Sequence, residues 1–467
     1  MKKILYCQHI YNCESTTIDT YFEYGNSVVF CTSEKIKSYG CKRTIKCAKI
    51  KVISKCTKEE YWGPSEIDRC FRKENLVIQG IISFFTGSPL TVYNSNSSTK
   101  GFVPIPYQKQ RVHLNIEGID YTSDLKILLR KLTEEPELII TLLDRWRKAI
   151  YLKSESVDAD LYYDEATLSF FHILELFGDK VNNELKKMLE KNIERMMQQH
   201  FACYYFDDTH IKQKIEQNKK AVNSILIGDF LSLSVKIKYF LEKYNLLDDK
   251  VSYFIDNMIK VRNEIAHGRI TYQKMFVWPL PPFFSLAKNP YENTEFLMQL
   301  TAVMISKYVG IKRWEKEWIK TKLFLMPSQQ IMTSFLEGKI YFENDAKIAL
   351  VKGNKYNITW RTIFNFYIQK PKKEIREEIE LVVAKPFIDT PVNRRNAPDI
   401  FNISLIFADS EDINIQKKAI ENIKFIVKNG WYNWSNIRDA YIYLEFYSVD
   451  VVWYKNFLDS KEYLKIK

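Results

Sequence analysis

Between Thr122 and Arg313, apolar side chains recur every three to four residues, with charged residues filling the intervals. That period belongs to the α-helix, since a strand would alternate at every second residue. Each such helix carries an apolar stripe that it cannot bury alone, so a stretch this long predicts an all-α helical bundle. The predicted helices run from Thr133 through Trp146 to Leu152, then Asp160–Phe177, Asn183–His200, Lys219–Tyr244, Asp248–His267 and Thr294–Val309. The first opens on Thr133-Glu134-Glu135-Pro136, where acids and an early proline suit the unpaired amides of a first turn. A proline-rich excursion, Trp278-Pro279-Leu280-Pro281-Pro282, precedes the last.

The flanks follow other patterns. Residues 1–125 alternate over short runs, such as Ser27–Cys31, Ile50–Ile53 and Val112–Ile116, which predicts a strand-rich domain. A helix from Glu74 to Phe85, closed by Gly87-Ser88-Pro89, interrupts these strands, and Asn94–Gly101 reads as a flexible connector. Beyond Arg313, the segments Glu337–Ile348, Tyr356–Ile368 and Ile379–Val383 fit strands or short helices equally, whereas Gln416–Asn429 reads as a helix stopped by Gly430. Asn436–Leu458 is strongly aromatic and apolar. The expected class is α+β multidomain: a mixed domain over 1–125, the helical bundle over 126–315, and a mixed α/β or helical region over 316–467. With 46% hydrophobic residues, the chain can fill several cores.

Its most apolar stretch, Leu76–Val92, is broken by Gln79, Gly80, Gly87 and Pro89, so it reads as a buried helix and turn and no membrane partner is expected. Met1-Lys2-Lys3 introduces no signal-peptide pattern. The expected compartment is the cytoplasm, with the eight cysteines as reduced thiols. A net charge of +12, spread over scattered lysines, favours nucleic acid over a membrane surface as partner.

One helix carries chemistry. On a wheel, Val251, Phe254, Ile255, Met258, Ile259, Ile265 and Ala266 form an apolar stripe, with Tyr253, Asp256, Asn257, Lys260 and Glu264 outside it. Arg262 falls within the stripe. A guanidinium cannot shed its charge, so on a buried face it must be paired by a carboxylate or helix-end carbonyls, or the face must end at a cleft where it meets an anion. Asn263 and His267 lie four apart on the flank, where Asn263 is placed to orient the imidazole. With Gly268 as the residue after the helix, the helix dipole favours a protonated His267.

Arg262-Asn263-Glu264-Ile265-Ala266-His267-Gly268 resembles the R-x(4–6)-H motif of HEPN domains and is similar, more narrowly, to the Apea-like HEPN branch of bacterial defence proteins. The Trp146 helix, Phe170-Phe171-His172-Ile173-Leu174-Glu175-Leu176 and the apolar helix closing at Gly310 support the likeness, and Ile81–Gly87 resembles segments that precede such domains. Arg195–His200 has the same spacing but lacks the asparagine and the glycine. The resemblance implies a homodimeric endoribonuclease in which two copies surround one phosphate. His267 would move the proton as an RNA 2′-OH attacks its own phosphate, Arg262 would stabilise the phosphorane, and Asn263 would position the ring or the phosphate. It implies no metal or other cofactor, RNA as substrate, residues 1–125 as a sensor or regulatory domain, and an anti-phage (abortive infection) role with a phage-derived trigger. An alternative is a non-catalytic HEPN dimer that binds or scaffolds, which burial of Arg262 against a carboxylate within one chain would favour. A DNA-binding protein rests on charge alone.

Other constellations are weaker. His172 and Glu175 fall on the polar side of their helix, either solvated or as accessories to the composite site. Asp207-Asp208-Thr209-His210 reads as a helix-capping turn before it reads as a metal trio. Cys7, Cys13, Cys31, Cys41, Cys47, Cys56 and Cys70 crowd residues 1–70 along with His9. Cys7 with His9, and Cys41 with Cys47, could share strand faces as zinc ligands, but no C-x2-C pair occurs and core thiols fit better. No P-loop or G-x-S-x-G motif occurs. Elemental analysis is expected to find no stoichiometric zinc, and about one tightly held zinc per chain would recast residues 1–70 as a metal-stapled domain.

Overall fold

Among the described residues, seven strands join in one antiparallel sheet of order β5-β1-β4-β3-β2-β6-β7. They are β1 (Ile4–Cys13), β2 (Ile18–Tyr24), β3 (Ser27–Lys37), β4 (Thr44–Thr57), β5 (Ser95–Lys100), β6 (His113–Ile116) and β7 (Ile119–Asp120). The computed structural model describes residues 4–13, 17–37, 44–57, 64–90, 95–105, 111–154, 162–204, 207–267, 291–342 and 345–466. The pairing places His9, Val52, Val29 and Phe22 in one row across four strands, and all four are buried. The next row holds Cys7, Ser54 and Ser27, also buried. The hydroxyls of Ser27 and Ser54 lie 2.7 Å apart, and Ser27 donates to Glu74 Oε2 at 2.7 Å, bringing helix α1 (Pro64–Thr86) to this face. On the opposite face Tyr21, Phe30, Ile53 and Val103 form a smaller core. Both faces are therefore partly apolar, which blurs the alternation in the sequence.

The expected flexible connector Asn94–Gly101 is instead mostly strand: Ser95–Lys100 is β5, paired from Tyr6↔Lys100 to Tyr11↔Ser95. A strand ladder is made by backbone groups, so a run of Ser, Asn and Thr can serve when a neighbour offers free N–H and C=O groups.

Helices follow the sheet: α2 (Thr122–Glu134), α3 (Pro136–Ser154), α4 (Tyr163–Ala202), α5 (Asp208–Phe230), α6 (Leu233–Lys243), α7 (Asp249–Ala266), α8 (Tyr291–Val309) and α9 (Glu315–Lys322). Helix α4 joins two predicted helices into one of 40 residues. Gly178, in its middle, lets α6 approach, since a Cβ there would stand 3.4 Å from Lys236 Cβ. The expected Lys219–Tyr244 helix breaks at Ser232, whose extended backbone and hydroxyl cap α6. The proline excursion and Gly268 lie outside the described residues.

Trp146, fully buried, sits edge-on to Phe84 and Phe170 at 5.5 Å each and 5.7 Å from Trp314. The last carbonyls of α1 lack intrahelical donors. Trp314 Nε1 donates to Phe84 O at 3.0 Å and Arg313 Nε to Phe85 O at 2.8 Å, which satisfies two of them. At the α2–α3 junction Glu135 accepts from Lys131 (2.8 Å), Lys180 (2.8 Å) and the Tyr308 hydroxyl (2.5 Å). These donors, Lys131 first, lower its pKa to about 2.

The described residues fall into two compact units: the first holds those up to 247, 258–267 and 291–319, and the second 248–257 with those from 320 onward. In the second lie α10 (Gln329–Leu336), α11 (Ala346–Lys352), α12 (Trp360–Gln369), α13 (Lys373–Asp389), α14 (Ala397–Phe407), α15 (Ile413–Asn429), α16 (Ile437–Phe446), α17 (Val452–Asp459) and α18 (Glu462–Ile466). The segments that fitted strand or helix are thus helical where they are regular, and side-chain caps explain why. Asp345 caps α11, and Thr359 closes a capping box with Thr362 on α12. Gly430, at φ +63°, ends α15 as its pattern predicts. Trp360, Phe387, Phe401, Phe407 and Tyr454 fill this unit's core. Among the described residues no helix is long and apolar enough to cross a membrane.

Gly80 marks a close approach of α1 to α3, where a Cβ would stand 3.0 Å from Leu143 Cβ. Gly80→Leu is expected to cost about 1–3 kcal/mol through overpacking, read as a lower denaturation midpoint by tryptophan fluorescence. An unchanged midpoint would refute the tight contact.

Candidate functional site

Helix α7 emerges from cover as it proceeds. Val251, Phe254, Ile255 and Met258 are buried, Arg262 and Asn263 are half-buried, and Glu264, Ala266 and His267 are exposed. The apolar stripe therefore ends about one turn before the motif, and Arg262 stands at its mouth. Helix α4 supplies the opposite wall, where Phe170, Phe171, Ile173 and Leu174 are buried while His172 and Glu175 are half-buried.

Arg262 is paired. Its Nη2 donates to Glu175 Oε1 at 2.6 Å, its Nη1 donates to Asn263 Oδ1 at 3.0 Å, and its guanidinium carbon lies 5.8 Å from the centre of the Phe171 ring. The Arg262 and Glu175 side chains keep 30% and 24% of their surface exposed, so the ion pair remains open to solvent and to a ligand. The remaining guanidinium N–H groups are not used by these bonds. Asn263 turns its amide oxygen to Arg262. His267 follows at the helix end, its backbone N–H donating to Asn263 O at 3.1 Å.

His172 and Glu175 do not both point into solvent, as the polar-side reading allowed. Glu175 holds Arg262, and the Nδ1 of His172 is buried with no hydrogen-bond partner among the described residues. Burial pushes the His172 pKa down from 6.5, with the nearby charges of Arg145 and Arg262 acting the same way and Glu175 opposing them. The ring is therefore neutral at pH 7. Because folding lowers this pKa, neutral His172 contributes stability that is present above pH 6.5 and is lost as pH falls through the folded value.

Arg145 was not singled out from the sequence. It lies on α3 three residues after Leu142 and four before Ala149, on the flank of that helix's buried stripe, where a cation reads as a solvated edge.

Other predicted groups fall elsewhere. Cys7 and His9 do come together on β1, with Sγ and Nε2 3.2 Å apart and both residues buried, while Cys41 and the side chain of Cys47 lie outside the described residues. Among the described residues no three His, Cys, Asp or Glu side chains cluster as metal ligands. Asp207 caps α5, accepting from the backbone of Thr209 and His210 at 2.9 Å each and pairing with the His210 ring at 2.7 Å. Comparison with protein-family models, with curated proteins and with solved structures gives no match.

The opposing charges around His172 can be separated. Since Glu175 raises its pKa against two arginines, Glu175→Gln is expected to move the His172 titration to still lower pH, followed by histidine-selective NMR. A shift to higher pH would contradict the arrangement.

Proposed function

We propose that the chain is a metal-independent endoribonuclease of the HEPN type, acting as a homodimer and serving in anti-phage defence. The observation that carries it is the placement of Arg262 at the open end of α7, held by Glu175 and Asn263 with His267 one turn further on. The helices from α2 to α8 are the HEPN bundle of this reading. A fixed cation and a titratable imidazole on one helix end suit a phosphodiester that turns into a dianionic phosphorane.

The substrate's 2′-oxygen attacks the adjacent phosphorus while its proton passes to a base, and the bond to the 5′-oxygen breaks as that oxygen takes up a proton. The products are a 2′,3′-cyclic phosphate and a free 5′-hydroxyl. His267 handles the proton and Arg262 faces the growing negative charge. A second copy brings a second Arg262–His267 set to the same phosphate, which gives the reaction separate donor and acceptor rings. The nucleophile belongs to the RNA, so no metal-activated water is required.

A second reading has an observation of its own: Arg262 is already neutralised by Glu175 within one chain. A non-catalytic HEPN dimer would use that pair to hold α7 against α4. The partial exposure of both side chains favours the first reading, because it leaves the guanidinium within reach of a phosphate from solvent.

Arg262→Ala and His267→Ala are each expected to reduce RNA cleavage by about a hundredfold or more while leaving solubility and dimer formation intact. Cleavage should persist in excess EDTA and stop with a deoxyribose at the scissile position. Wild-type cleavage rates in both variants would leave the binding-module reading; activity restored only by magnesium would place the protein in another nuclease class.

A further inference from the structure

The second unit carries a cavity of its own, built on two locked turns. Helix α15 ends at Gly430, where the Gly430 N–H donates to Val427 O at 3.2 Å and the Trp431 N–H to Ile426 O at 3.1 Å. That closure fixes the direction in which Trp431, Tyr432 and Asn433 leave the helix. The turn before α14 is held by Asn393, whose Oδ1 accepts from the backbone of Arg395 at 3.0 Å and of Asn396 at 3.2 Å. It presents Arg394. Arg394, Pro398, Asn429, Trp431, Tyr432 and Asn433 together line about 320 Å³. Small-molecule sites span roughly 300–1,000 Å³, so this one suits a ligand the size of a single nucleotide.

The lining has a definite chemistry. Both rings are half-buried and braced by a neighbour, Phe425 standing edge-on to Trp431 at 5.7 Å and Phe401 lying 5.9 Å from Tyr432. Asn429 donates its Nδ2 to Phe425 O at 2.8 Å, which leaves its amide oxygen as an acceptor, and exposed Asn433 offers both a donor and an acceptor. Arg394 is exposed and makes no ion pair among the described residues. No carboxylate lines the cavity, which disfavours a divalent cation. A wholly apolar ligand would cover the two amides without pairing them. The ligand that fits is flat and aromatic at one end, hydrogen-bonding along its edge and anionic at the other.

We propose that this cavity binds a nucleotide, with its base against Trp431 and Tyr432, its base edge on Asn429 and Asn433, and its phosphate on Arg394. Bases stack on aromatic side chains, asparagine reads a base edge, and an arginine fork meets two phosphate oxygens. The nucleotide is either free or part of a single-stranded RNA. The site lies wholly within the second unit and requires no cleavage, so it stands apart from the reading of α7.

The test is calorimetric titration of the full-length protein with AMP, with ribose 5-phosphate, and with an adenylate octamer whose 2′-O-methyl riboses offer no attacking hydroxyl. Arg394→Gln alters an exposed side chain and is expected to weaken binding about tenfold, the loss of one charge-assisted contact. Trp431→Ala is expected to weaken it about tenfold through lost stacking, and Trp431→Phe to keep most of the affinity. Trp431 packs against the core, so Arg394→Gln decides the matter where Trp431→Ala does not fold. Arg395→Gln, outside the lining, should bind as the wild type does. AMP binding that these variants weaken assigns a free nucleotide, and octamer binding that they weaken without any AMP binding assigns an RNA strand. A wild-type protein that binds neither probe would overturn the proposal, as would Arg394→Gln with unaltered affinities, Arg395→Gln with an equal loss, or ribose 5-phosphate bound as tightly as AMP. Octamer binding lost in Arg262→Ala but unaltered in Arg394→Gln would uphold α7 as an RNA site and remove this one. The opposite pattern would keep this site and count against α7.

Discussion

A helix that ends inside a protein leaves carbonyls that cannot stay unpaired. Helix α1 ends among Phe84, Phe85 and Trp146, and its last carbonyls are met by Arg313 and Trp314. Those donors come from the far end of the first unit, more than two hundred residues along the chain. Trp146 then lies at the centre of a cluster with Phe84, Phe170 and Trp314, drawing α1, α3 and α4 around one ring. The sheet enters the same assembly through Glu74, which ties Ser27 to α1. Since α3 and α4 also carry Arg145, His172 and Glu175, the packing that satisfies α1 sets the wall of the candidate site.

The site itself follows from the permanence of an arginine's charge. Arg262 could not be placed at the end of a buried stripe without a counter-group, and the carboxylate that serves is Glu175. Histidines record these fields through their protonation. His172 lies under cover, which pushes its pKa down, and His267 lies exposed at the helix end.

Much of the helical architecture was legible because long amphipathic stripes have one explanation. The 3.6 period in Pro136–Ser154 and Asp249–Ala266 is sustained over several turns, and there the sequence and the structure agree closely. Short segments were ambiguous for the reason that α11 and α12 show: over two or three turns, apolar spacing does not separate strand from helix, and a cap such as Thr359 decides. The polar stretch around Asp179 and Lys180 hid the continuity of α4, because an exposed face looks like a loop when read residue by residue. β5 was hidden for the opposite reason, its residues being chosen by a neighbouring backbone that no local pattern reports. In the site, Arg262, Asn263 and His267 could be named from one helix, whereas the Glu175 pairing depends on two helices meeting.

The order of the strands has a consequence for how the chain must be made. β1 to β4 are complete by Thr57, yet in the sheet they end on β1 at one side and β2 at the other. β5 covers the first of these edges and β6 the second, and both arrive only after α1 has been synthesised. Until then a nascent chain presents two open rows of N–H and C=O groups, which is the template for pairing with another copy. A protein released before residue 95 would carry both open rows, whereas one that reached Ile116 would have its edges moved out to β5 and β6. The plain, serine-rich segment that looked like a connector thus covers the β1 edge, and its polarity suits a strand that is itself the edge of the finished sheet.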